Sequence, residues 1–221
     1  MKKKFIQWVT RPWQVAIRWH LRKPRSYTFR GVKITVMPGV FHPGFFYSTD
    51  FLLDFLSRYD LAGQRLLELG CGSGIISVMT AKMGAVVTAT DINVMAVNNA
   101  LTNATNNQVS IQVIHSDLFH GIPVEAYDWI VVNPPYYPAD PHDDAAYAWY
   151  CGRNHEYFLR FFSSLARYMT DRSKTLMVLS DVCDLPLIFS IAGDHGFHFE
   201  KIEERSVWID GKNYLYWVKM K

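Results

Sequence analysis

The sequence predicts an α/β fold in which seven strands form one mostly parallel sheet with helices on both faces. Short apolar runs alternate with stretches of helical periodicity, the order typical of parallel strands joined by helices. The last two predicted strands, residues 198–208 and 214–219, flank Asp210 and Gly211, a pair that favours a tight turn. The sheet is therefore predicted to end on a C-terminal antiparallel hairpin.

The other predicted elements follow the same alternation. Residues 27–30 and 33–37 predict two short strands around Gly31, and two Pro-Gly pairs mark the loop after them. The remaining strands of the sheet are predicted at residues 66–69, 86–90, 111–115, 127–132 and 175–179, and the helices at residues 49–59, 75–82, 93–103, 156–168 and 185–195.

The chain is organised around the turn between the first of these sheet strands and its helix. Gly70, Gly72 and Gly74 stand at every second position there, so the turn carries almost no side chain. A strand, a glycine turn and the start of a helix together allow the backbone to approach a ligand closely. The alternative is a purely structural glycine turn in some other α/β fold.

Asp91 ends the next predicted strand, twenty-one positions after Gly70. A carboxylate at that place can hold the two hydroxyl groups of a ribose. The spacing does not fit the dinucleotide pattern Gly-x-Gly-x-x-Gly, because Ile75 stands where the third glycine belongs. We therefore predict a nucleoside site that needs no pyrophosphate.

The composition limits the class of protein. A chain of 221 residues, 49% hydrophobic, predicts one domain or one domain with an appendage. Three scattered cysteines without a Cys-x-x-Cys pair predict neither a disulfide framework nor a metal site, and they fit a reducing cytoplasm. Neither a signal peptide nor an apolar run long enough to span a membrane is predicted.

The positive charge is concentrated at the N-terminus. Ten Lys and Arg residues precede Asp50, which is the first acidic residue, whereas the whole chain has a net charge of only +3. Residues 1–26 are predicted to form a basic, aromatic, helical arm, with residues 27–221 as the main domain. The arm's apolar face could pack on that domain, or its charges could contact a polyanion such as RNA or a membrane surface. That face comprises Trp13, Ala16, Ile17, His20 and Leu21.

The strand predicted at residues 127–132 runs directly into Asn133-Pro134-Pro135-Tyr136. A planar NH2 group can react with an electrophile when both its hydrogens are engaged and its lone pair is turned toward that electrophile. The side-chain oxygen of Asn133 and the carbonyl oxygen of Pro134 can accept those hydrogens, and Tyr136 can stack on a flat group. Two consecutive prolines fix this backbone. Such chemistry rests on positioning and needs no general base.

Two further segments are assigned to the same site. Asp117 follows the strand at residues 111–115, where its carboxylate can accept a hydrogen bond from an adenine amino group or simply cap a turn. The long loop at residues 137–152 is predicted to form a substrate-binding rim, because long loops in compact domains are usually functional. Its acidic and aromatic members are Asp140, Asp143, Asp144, Tyr147, Trp149 and Tyr150.

In their order, these motifs resemble those of the HemK family of class I S-adenosylmethionine-dependent methyltransferases, which methylate the amide nitrogen of glutamine in translation release factors. The similarity is closest to the short HemK form and covers about residues 38–220. It implies a Rossmann-like class I methyltransferase fold and S-adenosylmethionine as the cofactor. The motifs are residues 68–74 (Glu-Leu-Gly-Cys-Gly-Ser-Gly), Thr90-Asp91-Ile92-Asn93, Asp117-Leu118 and Asn133-Pro134-Pro135-Tyr136.

The resemblance implies a set of site residues. On the target side these are Asn133, Pro134 and Tyr136. On the cofactor side they are Glu68, Gly70, Gly72, Asp91, Ile92, Asp117, Leu118 and Asn133.

Two departures from the family leave the substrate open. Phe45, Phe46, Tyr47 and Ser48 stand where the family has acidic residues, and the basic arm is not a HemK feature. The same motifs are similar to those of small-domain RNA methyltransferases that modify guanine N2 or adenine N6. We therefore expect an N-methyltransferase whose substrate is a protein glutamine, in a partner such as a release factor, or a nucleobase of RNA. A non-catalytic RNA-binding protein with the same fold is the alternative from another class.

Overall fold

The computed structural model describes residues 22–45, 47–207 and 211–221. The predicted N-terminal helix and its apolar face fall on residues 1–21 and so lie outside the described residues, as does Asp210 of the predicted hairpin turn. The first described strand begins at Arg25, so residues 25 and 26 of the predicted arm belong to that strand.

Fourteen helices and strands make up the described part of the chain, and three short 3-10 turns join them. The strands are β1 (Arg25–Phe29), β2 (Val32–Val36), β3 (Arg65–Leu69), β4 (Val86–Asp91), β5 (Gln112–His115), β6 (Trp129–Val132), β7 (Lys174–Ser180), β8 (Phe197–Val207) and β9 (Gly211–Met220). The helices are α1 (Tyr47–Leu56), α2 (Ile75–Lys82), α3 (Val94–Asn106), α4 (Glu156–Leu165) and α5 (Leu185–Asp194).

Seven of the strands form one sheet in the order β5-β4-β3-β6-β7-β9-β8. The first five are mutually parallel, while β9 runs antiparallel to both β7 and β8. The predicted seven-stranded, mostly parallel sheet with a C-terminal antiparallel hairpin is confirmed. Strands β1 and β2 form a separate antiparallel pair.

Two apolar cores cover opposite faces of the large sheet. Along β6, Trp129 and Val131 belong to one core, whereas Ile130 and Val132 belong to the other, because successive residues of a strand point to opposite faces. Helices α1 and α2 contribute to the first core, and α4 and α5 to the second. All of β6 is buried, as expected for a central parallel strand covered on both faces.

Helix α3 fastens the small β1–β2 sheet to the main sheet through asparagine side chains. The amide N–H of Thr35 donates to Asn103 Oδ1 at 2.9 Å, and both Asn99 and Asn103 donate to the Thr35 carbonyl at 2.8 Å. Asn103 Nδ2 also donates to the carbonyl oxygen of Ser73 in the glycine turn at 2.9 Å. These asparagines therefore satisfy backbone groups of β2 that β1 does not reach.

We expect Asn103→Ala to destabilise the fold by about 2–5 kcal/mol, because the amide of Thr35 and the carbonyl of Ser73 lose the bonds that Asn103 supplies. Urea unfolding measures the change. Asn98→Ala, on the exposed side of the same helix, is the matched control and should change the unfolding free energy by less than about 0.5 kcal/mol. Equal losses in the two variants would contradict this role of Asn103.

Candidate active site

A cavity of about 460 Å³ opens at the carboxyl ends of β3, β4 and β6. Strand order reverses direction between β3 and β6, and open α/β sheets bind ligands at such a switch point. The structure brings every predicted site residue to this one cavity. Its lining includes Glu68, Gly70, Gly72, Asp91, Ile92, Asp117, Leu118, Asn133, Pro134 and Tyr136.

The glycine turn after β3 forms the floor of the cavity. Gly70 has a φ of +76°, and a Cβ atom built there would meet no atom within 4 Å, so it would enter the space of the cavity itself. Gly74 has a φ of +78°, and its Cβ would lie only 2.8 Å from the Cβ of Ala100 in α3. The first position thus keeps room for a ligand and the second allows the turn to pack against a helix.

Asp91 holds this turn with both oxygens of its carboxylate. Oδ2 accepts from the amide of Gly72 at 2.8 Å, and Oδ1 accepts from the amide of Asn93 at 2.9 Å. Burial raises the pKa of Asp91, and the two amide hydrogen bonds act against that rise. Each oxygen retains a lone pair for a further donor. The carboxylate is thus a cap for the turn, and its contact with ribose hydroxyls stays a prediction.

Glu68 lies beneath the glycine turn with only 4% of its surface exposed. Its carboxylate accepts hydrogen bonds from the hydroxyl and the backbone amide of Ser77, in the first turn of α2. Burial raises the pKa of Glu68 to about 8, although the bonds from Ser77 act in the opposite direction. Near neutral pH this group is therefore largely protonated.

Asp117 and Leu118 lie beyond β5, where Leu118 has a φ of +53°. Arg160 of α4 donates from Nη2 to Asp117 Oδ2 at 2.6 Å, an ion pair that no local sequence pattern predicts. Tyr157, one turn earlier in α4, lines the same part of the cavity, and burial is the main reason that the pKa of its hydroxyl is raised. The predicted adenine contact of Asp117 would form beside this pair.

The Asn133 carboxamide is held at both ends. Tyr136 donates its hydroxyl to Asn133 Oδ1 at 3.0 Å, and Asn133 Nδ2 donates to the hydroxyl oxygen of Ser48 at 3.2 Å. Ser48 lies in the first turn of α1 and is not among the predicted site residues. The oxygen that was predicted to accept a substrate hydrogen thus already accepts one bond and keeps one lone pair.

The predicted rim encloses the outer part of the cavity. Tyr137 and Tyr150 pair at the base of the loop, which contains a 3-10 turn at Asp144–Ala148. The ring of Trp149 lies 5.3 Å from that of Phe41, centroid to centroid, so the rim meets the loop between β2 and α1. The Pro-Gly pairs mark that loop in the sequence, although nothing local singles out Phe41.

Carboxyl groups dominate the charged side chains that line the cavity. Among the described residues these carboxyl groups belong to Glu68, Asp91, Asp117, Asp140, Asp144 and Glu156, and the one guanidinium in the described lining belongs to Arg160. Within the described ranges we find no cluster of three or more His, Cys, Asp or Glu residues suited to a metal ion. A neutral or cationic ligand therefore suits this cavity better than a polyanion.

The sequence model of a family described as "Methyltransferase small domain" matches residues 31–149, more than half of the chain. The chain belongs to this family. The predicted recognition of the methyltransferase class is thereby confirmed, as is S-adenosylmethionine as the cofactor of that class. The open space at Gly70 and the bonding capacity left on Asp91 fit a nucleoside cofactor of this kind.

Relatives of this small methyltransferase domain are named for different targets. The chain is 38% identical over 109 residues to a protein of Methanocaldococcus jannaschii named as an N5-glutamine methyltransferase, covering 49% of this chain and 53% of that protein. It is 36% identical over 126 residues to a ribosomal protein L11 methyltransferase of Wolinella succinogenes, covering 55% and 42%. The chain thus spans about half the length of the curated relatives it matches.

Two solved structures share the fold of this small methyltransferase domain. The first is a 16S rRNA N2 methyltransferase of T. thermophilus in complex with AdoMet and guanosine (22% identity, TM-score 0.63), with 90% of this chain and 50% of that one covered. The second is the E. cuniculi Mtq2–Trm112 complex, described as responsible for methylation of the termination factor eRF1 (22% identity, TM-score 0.63), with 83% and 99% covered. These likenesses show the fold, and the class I methyltransferase architecture is confirmed.

The raised pKa of Glu68 gives a pH-dependent stability. Its proton is bound more tightly in the folded chain than in the unfolded one, whose pKa is about 4.5, so the stabilisation is complete below that pH and is lost as the pH rises through about 8. Glu68→Gln cannot titrate. We expect its melting temperature, measured without cofactor, to gain on that of the wild type between about pH 5 and about pH 9. If the melting temperatures of the two proteins changed in the same way with pH across that range, a buried, protonated Glu68 would be contradicted.

Proposed function

We propose that this domain transfers a methyl group from S-adenosylmethionine to the nitrogen of a planar NH2 group. The observation that carries the proposal is the position of Asn133-Pro134-Pro135-Tyr136, which follows β6 and borders the same cavity as the glycine turn after β3. A cofactor bound at the turn and a target bound at Asn133 would therefore meet within one enclosed space. The resemblance to the HemK type supports the same assignment.

The proposed chemistry relies on orientation. Asn133 Oδ1 has a lone pair left after it accepts from Tyr136, and the carbonyl oxygen of Pro134 is a second acceptor. Together they would engage both hydrogens of the target and turn its lone pair toward the methyl group that the cofactor supplies. The Asn133 side chain bonds only hydroxyl groups among the described residues, neither of which is a strong base at neutral pH. This arrangement suits a positioning mechanism.

The first choice of substrate is the side-chain amide of a protein glutamine, as in a release factor. Two observations support it: the relative named as an N5-glutamine methyltransferase and the excess of carboxyl groups around the cavity, which disfavours a phosphate backbone there. RNA is the second candidate. The ten positive charges before Asp50 in the sequence favour contact with a polyanion, and one structural neighbour is an rRNA methyltransferase.

We also propose a cytoplasmic location. All three cysteines are free and buried, in agreement with a reducing compartment. Across the described residues, no helix reaches the length and apolarity that crossing a bilayer requires.

Asp91 tests the cofactor site. S-adenosylhomocysteine should raise the melting temperature of the wild type, whereas NAD should not. In calorimetry, Asp91→Ala should weaken S-adenosylhomocysteine binding by about tenfold to a hundredfold, because it removes acceptors for ribose hydroxyls. Asp184→Ala is the matched control, since Asp184 also caps a backbone amide but is not among the residues that line the cavity. Unchanged affinity in Asp91→Ala would mean that this carboxylate serves the turn alone.

The substrate class is tested by methyl labelling. A cell extract is incubated with the protein and tritiated S-adenosylmethionine, and portions are digested with RNase or with protease. We expect protease, and not RNase, to release the label from macromolecules. Asn133→Ala should abolish labelling while S-adenosylhomocysteine affinity stays within about tenfold, since the side chain acts on the target. Label released by RNase alone would favour the second candidate. Wild-type rates in Asn133→Ala would refute the proposed chemistry.

A further inference from the structure

We propose that Ser48 is a positioning residue for methyl transfer: its hydroxyl fixes the plane of the Asn133 carboxamide against the target amide. The proposal rests on the proposed function above and adds to it a group on another element, 85 positions away in the chain. The proposal is supported by the contact between the first turn of α1 and the residue that follows β6.

The geometry makes Ser48 one of two supports for Asn133. Asn133 Nδ2 donates to Ser48 Oγ at 3.2 Å, and Tyr136 donates to Oδ1 at 3.0 Å, so each end of the carboxamide is bonded to a hydroxyl group. Rotation about the terminal side-chain bond of asparagine is otherwise broad. With the Ser48 bond removed, only the Tyr136 bond of the two still restrains the carboxamide, so its plane and the direction of its oxygen are less firmly fixed.

Ser48 is itself held firmly in place. It is 2% exposed and lies in the first turn of α1, whose buried face belongs to the core under the sheet. Further along this helix, Asp50 accepts a hydrogen bond from the hydroxyl of Tyr27 in β1. Asp54 accepts from Arg205 of β8 at 2.8 Å. The helix is thus bonded to two separate strands, β1 and β8, which restrains its position.

The chemistry needs that rigidity. The nitrogen of an amide is a poor nucleophile, and the proposed site supplies no strong base at Asn133. The rate of methyl transfer therefore depends on holding the target amide in an attack geometry. A displacement of about 1 Å at a reacting group costs up to about a hundredfold in rate. A group that orients the acceptor should therefore affect turnover much more than cofactor binding.

Ser48→Ala tests this with little risk to the fold, because it removes one oxygen atom from a helix. The acceptor is the extract fraction that takes up the methyl label, supplied at a saturating concentration. With it, we expect turnover of Ser48→Ala to fall about tenfold to a hundredfold, while its affinity for S-adenosylhomocysteine stays within about twofold of the wild type. Ser48→Thr keeps the hydroxyl and should keep most of the turnover. Ser57→Ala deletes a hydroxyl just beyond the same helix, outside the cavity lining, and should behave as the wild type.

A spectroscopic readout separates this inference from the proposed function. In protein labelled with 15N asparagine, the side-chain resonances of Asn133 are identified by their loss in Asn133→Ala. They should move in Ser48→Ala and stay in place in Ser57→Ala.

Unmoved Asn133 resonances in Ser48→Ala overturn the inference, even if the wild type methylates its target. Moved resonances with wild-type turnover in Ser48→Ala also overturn it, because the contact then has no effect on the reaction. A wild type that transfers no label refutes the proposed function, and the resonances still decide whether Ser48 holds Asn133.

Discussion

Buried backbone groups need hydrogen-bond partners, and the part of this domain that precedes β3 obtains them from the side chains of α3. Strand β2 pairs with β1 on one side only. Without side-chain partners, the amide and carbonyl groups of Thr35, which face the domain, would have no hydrogen bonds. Asn99 and Asn103 bond both groups, and they are 3% and 0% exposed. Because an unpaired buried group costs about 1–3 kcal/mol, these few bonds decide where the small sheet lies.

The same helix organises the cavity wall. Asn103 bonds the carbonyl of Ser73, Ala100 packs against Gly74, and Asn93 donates to the carbonyl of Gly39 in the loop that precedes α1. The glycine turn and that loop are thus fastened to one rigid element, on which their spacing depends. Phe41, which lies in that loop, contacts Trp149 of the rim, and both residues line the cavity. Anchoring of the small sheet and construction of the site are consequences of one set of side chains.

The sequence predicts what depends on neighbours in the chain. Helix α2 matches the predicted bounds of residues 75–82, because Gly74 precedes its first residue and Gly84 follows its last turn. The apolar runs around Gly211 predict the hairpin strands, although β9 begins at Gly211 itself, three residues before its predicted start. Predictions fail where a contact joins distant segments. The bond between Ser48 and Asn133 and the ion pair between Asp117 and Arg160 have no local signal. Helix α1 begins at Tyr47, two residues before its predicted start, and this earlier turn is what brings Ser48 to the site.

The sequence of the first fifty residues and the described lining of the cavity differ in charge. The first fifty residues of the sequence contain ten basic side chains, whereas carboxyl groups predominate around the cavity. A polyanion attracted by the basic segment would be repelled at the cavity mouth, although protonation of Glu68 near neutral pH removes one of those charges. An amide side chain has no charge and avoids this cost. The electrostatics of the described cavity lining therefore agree with a neutral target group.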